Sequence, residues 1–200
     1  MSDEKRPYRM KRRAELEAET RRRITESAVA LHERVGPAQT SITAIAEAAG
    51  VRRSTVYRHF ADEETLFAAC SSHFRALNPP PELAGWATIE DPAARTETAL
   101  RELYAFYRRT HRIYDSLFRD ESLVPAVRRR LRDFHGYVRA AADVLMKGRK
   151  LRGRAARRTR AAIGHAVAFG TWSSLTQEQE LTHDEAVALM STLVESASRR

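Results

Sequence analysis

The stretch AGVRRSTVYRHF, residues 49–60, concentrates hydrogen-bond donors on a short segment of the chain. It carries three arginines, two aliphatic hydroxyls, a tyrosine and a histidine, with small or apolar residues between them. An arginine fork can bind guanine O6 and N7, and a threonine can contact a thymine methyl group or a phosphate. Tyrosine and backbone amides suit phosphates, whose contacts set orientation. Residues of these types on one rigid element indicate recognition of double-stranded DNA.

The residues around this stretch meet the requirements of a helix-turn-helix. Ala46 is small where two helices must touch, Gly50 tolerates the positive φ of the turn, and Val56 can anchor the second helix. Ser41 is a natural N-cap for a helix over residues 42–49, and a second helix is predicted over 53–59. With Val56 inside, the outward-facing candidate DNA-binding residues are Arg52, Arg53, Ser54, Thr55, Tyr57, Arg58 and His59.

Helical periodicity also flanks the motif. Apolar residues recur at three- and four-residue spacing from Arg21 until Gly36-Pro37 stops the helix. Asp62 can cap a fourth helix, which the Asn-Pro-Pro-Pro run of residues 78–81 ends.

The remainder of the chain is predicted to be helical as well. Helices are expected from Asp91-Pro92, over 113–118, from Pro125 to about 145, over 155–176, and from a capping box of Thr182 and Glu185. No segment alternates with period two, so we expect an all-α fold of about nine helices without a sheet.

The charge of the chain points to a polyanionic partner. The formal net charge of the 200 residues is +9. Residues 1–60 hold thirteen basic and eight acidic side chains, and residues 124–160 hold thirteen basic and two acidic ones. We interpret the run Lys147 to Arg160 as a solvated loop that could touch acidic ligands or flanking DNA. Residues 1–20 are expected to be a basic, disordered arm, whose cluster Lys11-Arg12-Arg13 either tracks a DNA groove or stays in solvent.

Several classes of protein are disfavoured. Cys70 is the one cysteine, so neither a disulfide framework nor a thiolate metal cage is expected, which fits the cytoplasm. No apolar run approaches a membrane span, and no secretion signal follows the basic amino terminus. Glycine-rich phosphate loops, nucleophile elbows and zinc-spaced histidine pairs are missing. We therefore expect no membrane association, no metal, no cofactor and no enzymatic activity.

Residues 40–66, TSITAIAEAAGVRRSTVYRHFADEETL, resemble the DNA-binding motif of the TetR family of bacterial transcriptional regulators. The resemblance adds Thr40, Ser41 and Thr43 to the candidate DNA-binding residues. It implies a homodimer with a helix-turn-helix domain over 21–67, a connecting helix to 78, and a helical effector-binding and dimerisation domain over 79–200. Two positions depart from the family pattern: Arg52 stands where a capping serine is usual, and Glu63 stands where a phosphate-binding lysine is usual.

Aromatic residues of the larger domain are candidates for the effector pocket that the resemblance implies. They could wall a site for a small hydrophobic or aromatic effector, or they could be ordinary core. The small residues Gly164, Ala168 and Gly170, together with the apolar last helix, suggest that the last two helices form a homodimer interface rather than packing only within the chain. The candidate pocket residues are Tyr104, Tyr107, His111, Tyr114, Phe118, Phe134, Tyr137, Phe169 and Trp172.

These features together predict a homodimeric repressor, associated with the nucleoid in the cytoplasm, that a small-molecule effector releases from a near-palindromic DNA operator. One alternative is an activator or an architectural protein that binds DNA without a ligand. An alternative from another class is a helical enzyme or carrier whose basic surface attracts an acidic substrate.

Overall fold

The computed structural model describes residues 5–199, which form ten α-helices and no strand. The predicted all-α fold is therefore confirmed for this part of the chain, with one helix more than expected. None of the described helices combines the length and the apolar character that a membrane span needs. The helices are α1 Lys5–Val35, α2 Ile42–Ala48, α3 Arg53–His59, α4 Glu63–Leu77, α5 Leu83–Ala87, α6 Pro92–Asp120, α7 Pro125–Met146, α8 Gly153–Ala166, α9 Phe169–Ser173 and α10 His183–Ser198.

The chain divides into two compact units. The first unit contains the residues up to Leu77 together with Arg112–Arg129, and the second contains Asn78–His111 and Arg130–Arg200. This division differs from the expected one, because residues 112–129 group with the amino-terminal helices rather than with the rest of 79–200. The end of α6 and the start of α7 consequently belong to the first unit.

The core of the first unit is formed by apolar residues that recur at helical spacing in α1, α2, α3 and α4. Ile24 and Ala28 of α1, Ile45 of α2, Val56 of α3 and Leu66 of α4 are all buried in one cluster. Cys70 joins them, and burial raises the pKa of its thiol to about 12. The side chain therefore acts as a small apolar residue of the core.

The arm predicted over residues 1–20 is different in the structure. Residues 1–4 lie outside the described part of the chain, whereas residues 5–20 are the first turns of α1, so the expected disorder is wrong for them. Ion pairs one turn apart support the exposed helix: Arg13 with Glu17 at 3.2 Å, and Arg22 with Glu19 at 2.6 Å. Such pairs add a few tenths of a kcal/mol each, roughly, to a helix.

Helix α6 runs without interruption through the residues 113–118 that the sequence assigned to a separate short helix. The polar residues 108–112 do not interrupt it. Thr110 is buried, and its hydroxyl donates to the carbonyl of Phe106 one turn back, at 2.7 Å. The buried hydroxyl of this threonine is thus hydrogen-bonded within the helix, so the helix can continue through it.

The single helix predicted over 155–176 is wrong. Helix α8 ends at Ala166, α9 follows at Phe169, and residues Ser174–Glu178 form a π-helical segment. The hydroxyl of Tyr104 donates to the carbonyl of Ala166 at 2.9 Å, and that of Tyr107 donates to the carbonyl of Val167 at 2.6 Å. These two buried hydroxyls satisfy carbonyls that a continuous helix would have used, which explains the break.

The basic run Lys147 to Arg160 is more ordered than a solvated loop. Residues from Gly153 onward belong to α8, and Arg149 donates to Glu195 at 2.8 Å and to Thr96 at 2.7 Å. The buried Arg95 caps the C-terminus of the preceding helix α7. Its guanidinium donates to the carbonyl of Val144 in the last turn and to that of Lys147 just beyond the helix. The capping box of Thr182 and Glu185 opens α10 as predicted.

Candidate nucleic-acid interface

Helices α2 and α3 are joined by a tight turn that the local sequence specifies. The Ser41 hydroxyl accepts a hydrogen bond from the Ala44 amide at 3.1 Å, which is the predicted N-cap of α2. Gly50 lies at φ +63°, where a residue with a Cβ would be strained, and the Val51 amide donates back to the Ala46 carbonyl at 2.9 Å. These bonds hold α3 in one direction relative to α2.

The buried side of α3 orients its polar side. Val56 and Phe60 are each 1% exposed and pack in the core of the first unit. The opposite face consequently points to solvent. The predicted DNA-binding residues exposed on α3 and its preceding turn are Arg52, Arg53, Ser54, Tyr57 and Arg58, and Ser41 and Thr43 are exposed at the start of α2.

The N-terminus of α3 lacks a side-chain cap. Arg52 occupies the N-cap position with extended backbone, no side chain accepts from the first turn there, and Ser54 does not supply a shifted cap. The Thr55 and Val56 amides bond to the Arg52 carbonyl instead. Amides at a helix N-terminus that lack a side-chain partner can donate to a phosphate, so this departure leaves the α3 terminus open to a DNA backbone.

Arg53 and Tyr57 hold each other in place one helical turn apart. The Arg53 guanidinium donates to the Tyr57 hydroxyl oxygen at 3.2 Å, and its carbon lies 5.5 Å from the centre of the tyrosine ring. The hydrogen bond with Tyr57 raises the pKa of Arg53, and the charge of Glu63 adds to the effect. Because the tyrosine oxygen is the acceptor in this pair, its O–H remains able to donate to a phosphate.

Three of the predicted DNA-binding residues are less exposed than the others. Thr55 is half-buried. The Thr40 hydroxyl donates to the Gly36 carbonyl at 2.7 Å and so closes the turn before α2. The Nε2 atom of His59 is buried without a hydrogen-bond partner, and burial lowers the pKa of its imidazole, with the charges of Arg58 and Arg21 acting the same way. His59 therefore faces the protein rather than a groove.

Arg21 positions α3 although no sequence motif indicates it. Its guanidinium donates to the backbone carbonyl of His59 and lies 4.1 Å from the centre of the Phe60 ring. The cation thus meets the carbonyl end of α3, where positive charge is stabilising. The partners are 38 positions apart in the sequence, so no local signal indicates the contact.

The turn between α1 and α2 depends on Gly36. Its φ is +90°, and a Cβ built there would lie 2.0 Å from Nη2 of Arg119 and 2.5 Å from Oδ2 of Asp120. Arg119 in turn donates to the Val35 carbonyl at 3.0 Å. The end of α6 therefore packs directly on the turn that sets the direction of α2.

The N-terminus of α4 carries acids where the family pattern has a lysine. Asp62 accepts from the Thr65 amide at 2.7 Å as the predicted cap, and the hydrogen bonds from Thr65 lower the pKa of its carboxyl. Glu64 forms an ion pair with Arg129 at 2.6 Å, and Glu63 is exposed. Phosphate contacts from this position are not favoured.

The candidate effector residues of the second unit form an aromatic cluster around Tyr107. Its ring centre lies 5.4 Å from that of Phe169, 6.0 Å from that of Trp172 and 6.1 Å from that of Phe134. These rings are buried and pack against one another. The other residues predicted for the pocket in this unit are Tyr104, buried beside Tyr107, and the half-buried His111 and Tyr137.

Two predicted pocket residues lie elsewhere, and a cleft in the second unit has other walls. Tyr114 and Phe118 belong to the first unit, where their rings are 6.4 Å apart. The cleft has a volume of about 410 Å³ and polar walls that include Asp91, Glu97 and Ser191. None of the nine predicted residues lines it. No three His, Cys, Asp or Glu side chains within residues 5–199 are grouped as around a metal ion.

Comparison with known proteins gives one match in sequence. The sequence model of the family described as bacterial regulatory proteins, tetR family, matches residues 24–70, which span the last part of α1 through the first half of α4. No curated protein matches the chain.

Solved structures share the fold over most of the chain. A TetR-like transcriptional regulator from Rhodococcus sp. RHA1 has a TM-score of 0.65 at 20% identity, covering 88% of this chain and 93% of that one. A tetR-family transcriptional regulator from Streptomyces coelicolor has a TM-score of 0.58 at 20% identity, covering 90% and 79%. The multidrug binding protein EbrR, complexed with imidazole, has a TM-score of 0.56 at 20% identity, covering 88% and 89%.

Proposed function

We propose that the chain, whose residues 24–70 match the model of the tetR family of bacterial regulatory proteins, is a homodimeric repressor released from a near-palindromic operator by a small-molecule effector. The observation that carries the proposal is the polar face of α3. Arg52, Arg53, Tyr57 and Arg58 are exposed there together, while Val56 on the opposite face is buried. This regulator role does not call for enzymatic chemistry.

Each recognition helix would enter one major groove of the operator. Arg58 and Arg53 have the fork that binds guanine edges, and Tyr57 and the uncapped amides of α3 suit phosphates. The basic exposed residues Lys11, Arg12 and Arg13 of α1 would add backbone contacts, since charge neutralisation strengthens binding independently of sequence. Glu63 would face no phosphate in this arrangement.

The homodimer interface would be formed by α8 and α10. Leu189 and Leu193 are 40% and 48% exposed and lie one turn apart on α10, so they form an apolar stripe facing solvent in the single chain. On α8, Ala161 and Gly164 are exposed and small, which permits close approach of a second helix pair. A two-fold axis would bring two such faces together.

The effector would act in the second unit, at the aromatic cluster around Tyr107. The similar structure of EbrR is described as multidrug binding and holds imidazole, which favours a small hydrophobic or aromatic ligand here as well. Because the cluster is closed, such a ligand would have to bind a form in which Tyr107, Phe169 and Trp172 separate. Its effect on DNA binding is then limited by its differential affinity for the two forms.

Selection of bound sequences from a random duplex pool tests this proposal. We expect enrichment of one near-palindrome whose half-sites lie about 34–36 Å apart, or a multiple of that distance. The matched control is a Tyr57→Ala/Arg58→Ala chain, which should enrich nothing. Recovery of unrelated duplexes with equal efficiency by both chains, or no retention of DNA at low salt, would contradict the proposal.

A further inference from the structure

A cleft in the first unit lies next to the helix-turn-helix and has no role in the contacts described above. Its volume is about 280 Å³. Its walls include apolar side chains from α2 and α4 and the segment 124–126, together with the charged side chains of Glu63, Glu64 and Arg129. We refer to it as the His32 cleft, lined by His32, Ile42, Ile45, Leu66, Phe67 and Ala126.

His32 is the polar group inside this cleft. It is 7% exposed, and its ring centre is 5.5 Å from that of Phe67. Burial lowers the pKa of His32 to about 4, against the opposing charge of Asp120, so the imidazole is neutral at pH 7. A neutral imidazole has one donor nitrogen and one acceptor nitrogen. A ligand in the cleft can therefore either donate to His32 or accept from it.

The charged residues at the cleft already neutralise each other in part. Glu64 on α4 and Arg129 on α7 form an ion pair at 2.6 Å, and both line the cleft. Glu63, on the first turn of α4, is exposed and also lines the cleft. Since two carboxylates and one guanidinium line the cleft, an anion would be disfavoured there, whereas the apolar walls and the neutral imidazole suit an uncharged ligand.

We propose that the His32 cleft binds a small neutral molecule of the phenol class, whose ring packs between Phe67 and Ile45 and whose hydroxyl donates to the acceptor nitrogen of His32. The volume of the cleft lies just below the range of typical ligand pockets, about 300–1,000 Å³, and therefore suits a ligand with a single ring. This site is separate from the aromatic cluster of the second unit. Its occupancy can be measured whether or not the DNA-binding proposal holds.

The cleft also has a physical route to the DNA-facing residues. Ile42 and Ile45, which form one wall, are on α2, and Thr43 on the same helix is exposed toward the predicted interface. Thr40, at the turn before α2, lines the cleft as well. A bound ring would therefore contact the element that carries Ser41 and Thr43.

The experiment titrates the full chain with 4-ethylphenol and with ethylbenzene, followed by NMR of isotope-labelled side chains. We expect saturable shifts at Ile42, Ile45 and the His32 ring with a dissociation constant on the order of 0.1–1 mM. Ethylbenzene, which lacks the hydroxyl, should bind about tenfold more weakly. In His32→Phe, which keeps an apolar ring in the cleft, the two compounds should bind alike.

A second variant keeps the test decisive if His32→Phe is unstable. Ala126→Leu narrows the cleft and should abolish the shifts, whereas Ala140→Leu, an exposed position on the same helix, should leave them unchanged. The proposal is overturned by shifts confined to the second unit, by no saturable binding up to the solubility of 4-ethylphenol, or by equal affinity of the wild-type chain for both compounds.

Discussion

The carboxylate of Asp120, the last residue of α6, accepts a hydrogen bond from the backbone amide of Ala38 at 2.9 Å. Ala38 belongs to the short 3-10 turn that precedes α2. Asp120 is 3% exposed and also accepts from Nε of Arg119 at 3.0 Å. Two residues 82 positions apart thus fix the turn from which the helix-turn-helix begins.

Replacement of Asp120 by alanine should destabilise the protein by about 2–3 kcal/mol, because hydrogen bonds to a buried carboxylate are lost together. Urea unfolding followed by circular dichroism measures this change. Asp133→Ala removes an exposed carboxylate from α7 and should change the free energy of unfolding by less than about 0.5 kcal/mol. Equal unfolding midpoints for the two variants would show that the Asp120 link does not stabilise the fold.

Burial of His32 should make stability depend on pH. The pKa of His32 is about 4 in the folded chain against 6.5 as its ordinary value, so between these pH values the unfolded state binds the extra proton. Stability from this group is fully present above about pH 6.5 and is lost as the pH falls toward 4. The difference amounts to about 3 kcal/mol at most.

Comparison of variants isolates this contribution from the other groups that titrate in the same range. Urea unfolding of His32→Phe between pH 7.5 and 4.5 should show a shallower loss of stability than that of the wild-type chain. His73→Phe removes a half-buried imidazole from the same unit and controls for the loss of one histidine. If His32→Phe and wild type lose stability in parallel, the imidazole is not buried as described.

Features that depend on residues close together in the chain can be predicted from the sequence. The Ser41 cap, the positive φ of Gly50 and the Thr182–Glu185 box each depend on residues at most three positions apart. Their physics is local, so side-chain type and spacing suffice to predict them.

Features that depend on partners distant in the sequence cannot be predicted in this way. The break after Ala166 depends on the hydroxyl of Tyr104, 62 positions earlier. The hydrogen bond from Arg21 to the His59 carbonyl joins residues 38 positions apart. The continuity of α6 likewise depends on the tertiary burial of Thr110. Hydrophobic periodicity predicts which segments are helical. It does not predict which side chain will donate a hydrogen bond to a given backbone carbonyl.

The exposed leucines of α10 should control oligomeric state. Leu189→Glu/Leu193→Glu places two charges on the apolar stripe, and like charges meeting across a two-fold axis would oppose dimerisation. Sedimentation equilibrium should give the mass of two chains for wild type and of one chain for the double variant. Leu123→Glu alters a leucine that is 69% exposed in the first unit and should leave the dimer intact. A wild-type monomer, or a variant that still dimerises, would exclude this interface.

The most direct test of the central claim is the affinity of the α3 face for its selected duplex, measured by fluorescence anisotropy. Tyr57→Ala/Arg58→Ala should bind about 100-fold more weakly or worse, since each base or phosphate contact contributes roughly 1–3 kcal/mol. Arg132→Ala, which removes an exposed arginine from α7, should keep wild-type affinity apart from a small uniform change. Wild-type affinity in the folded double variant would contradict recognition of DNA by this face.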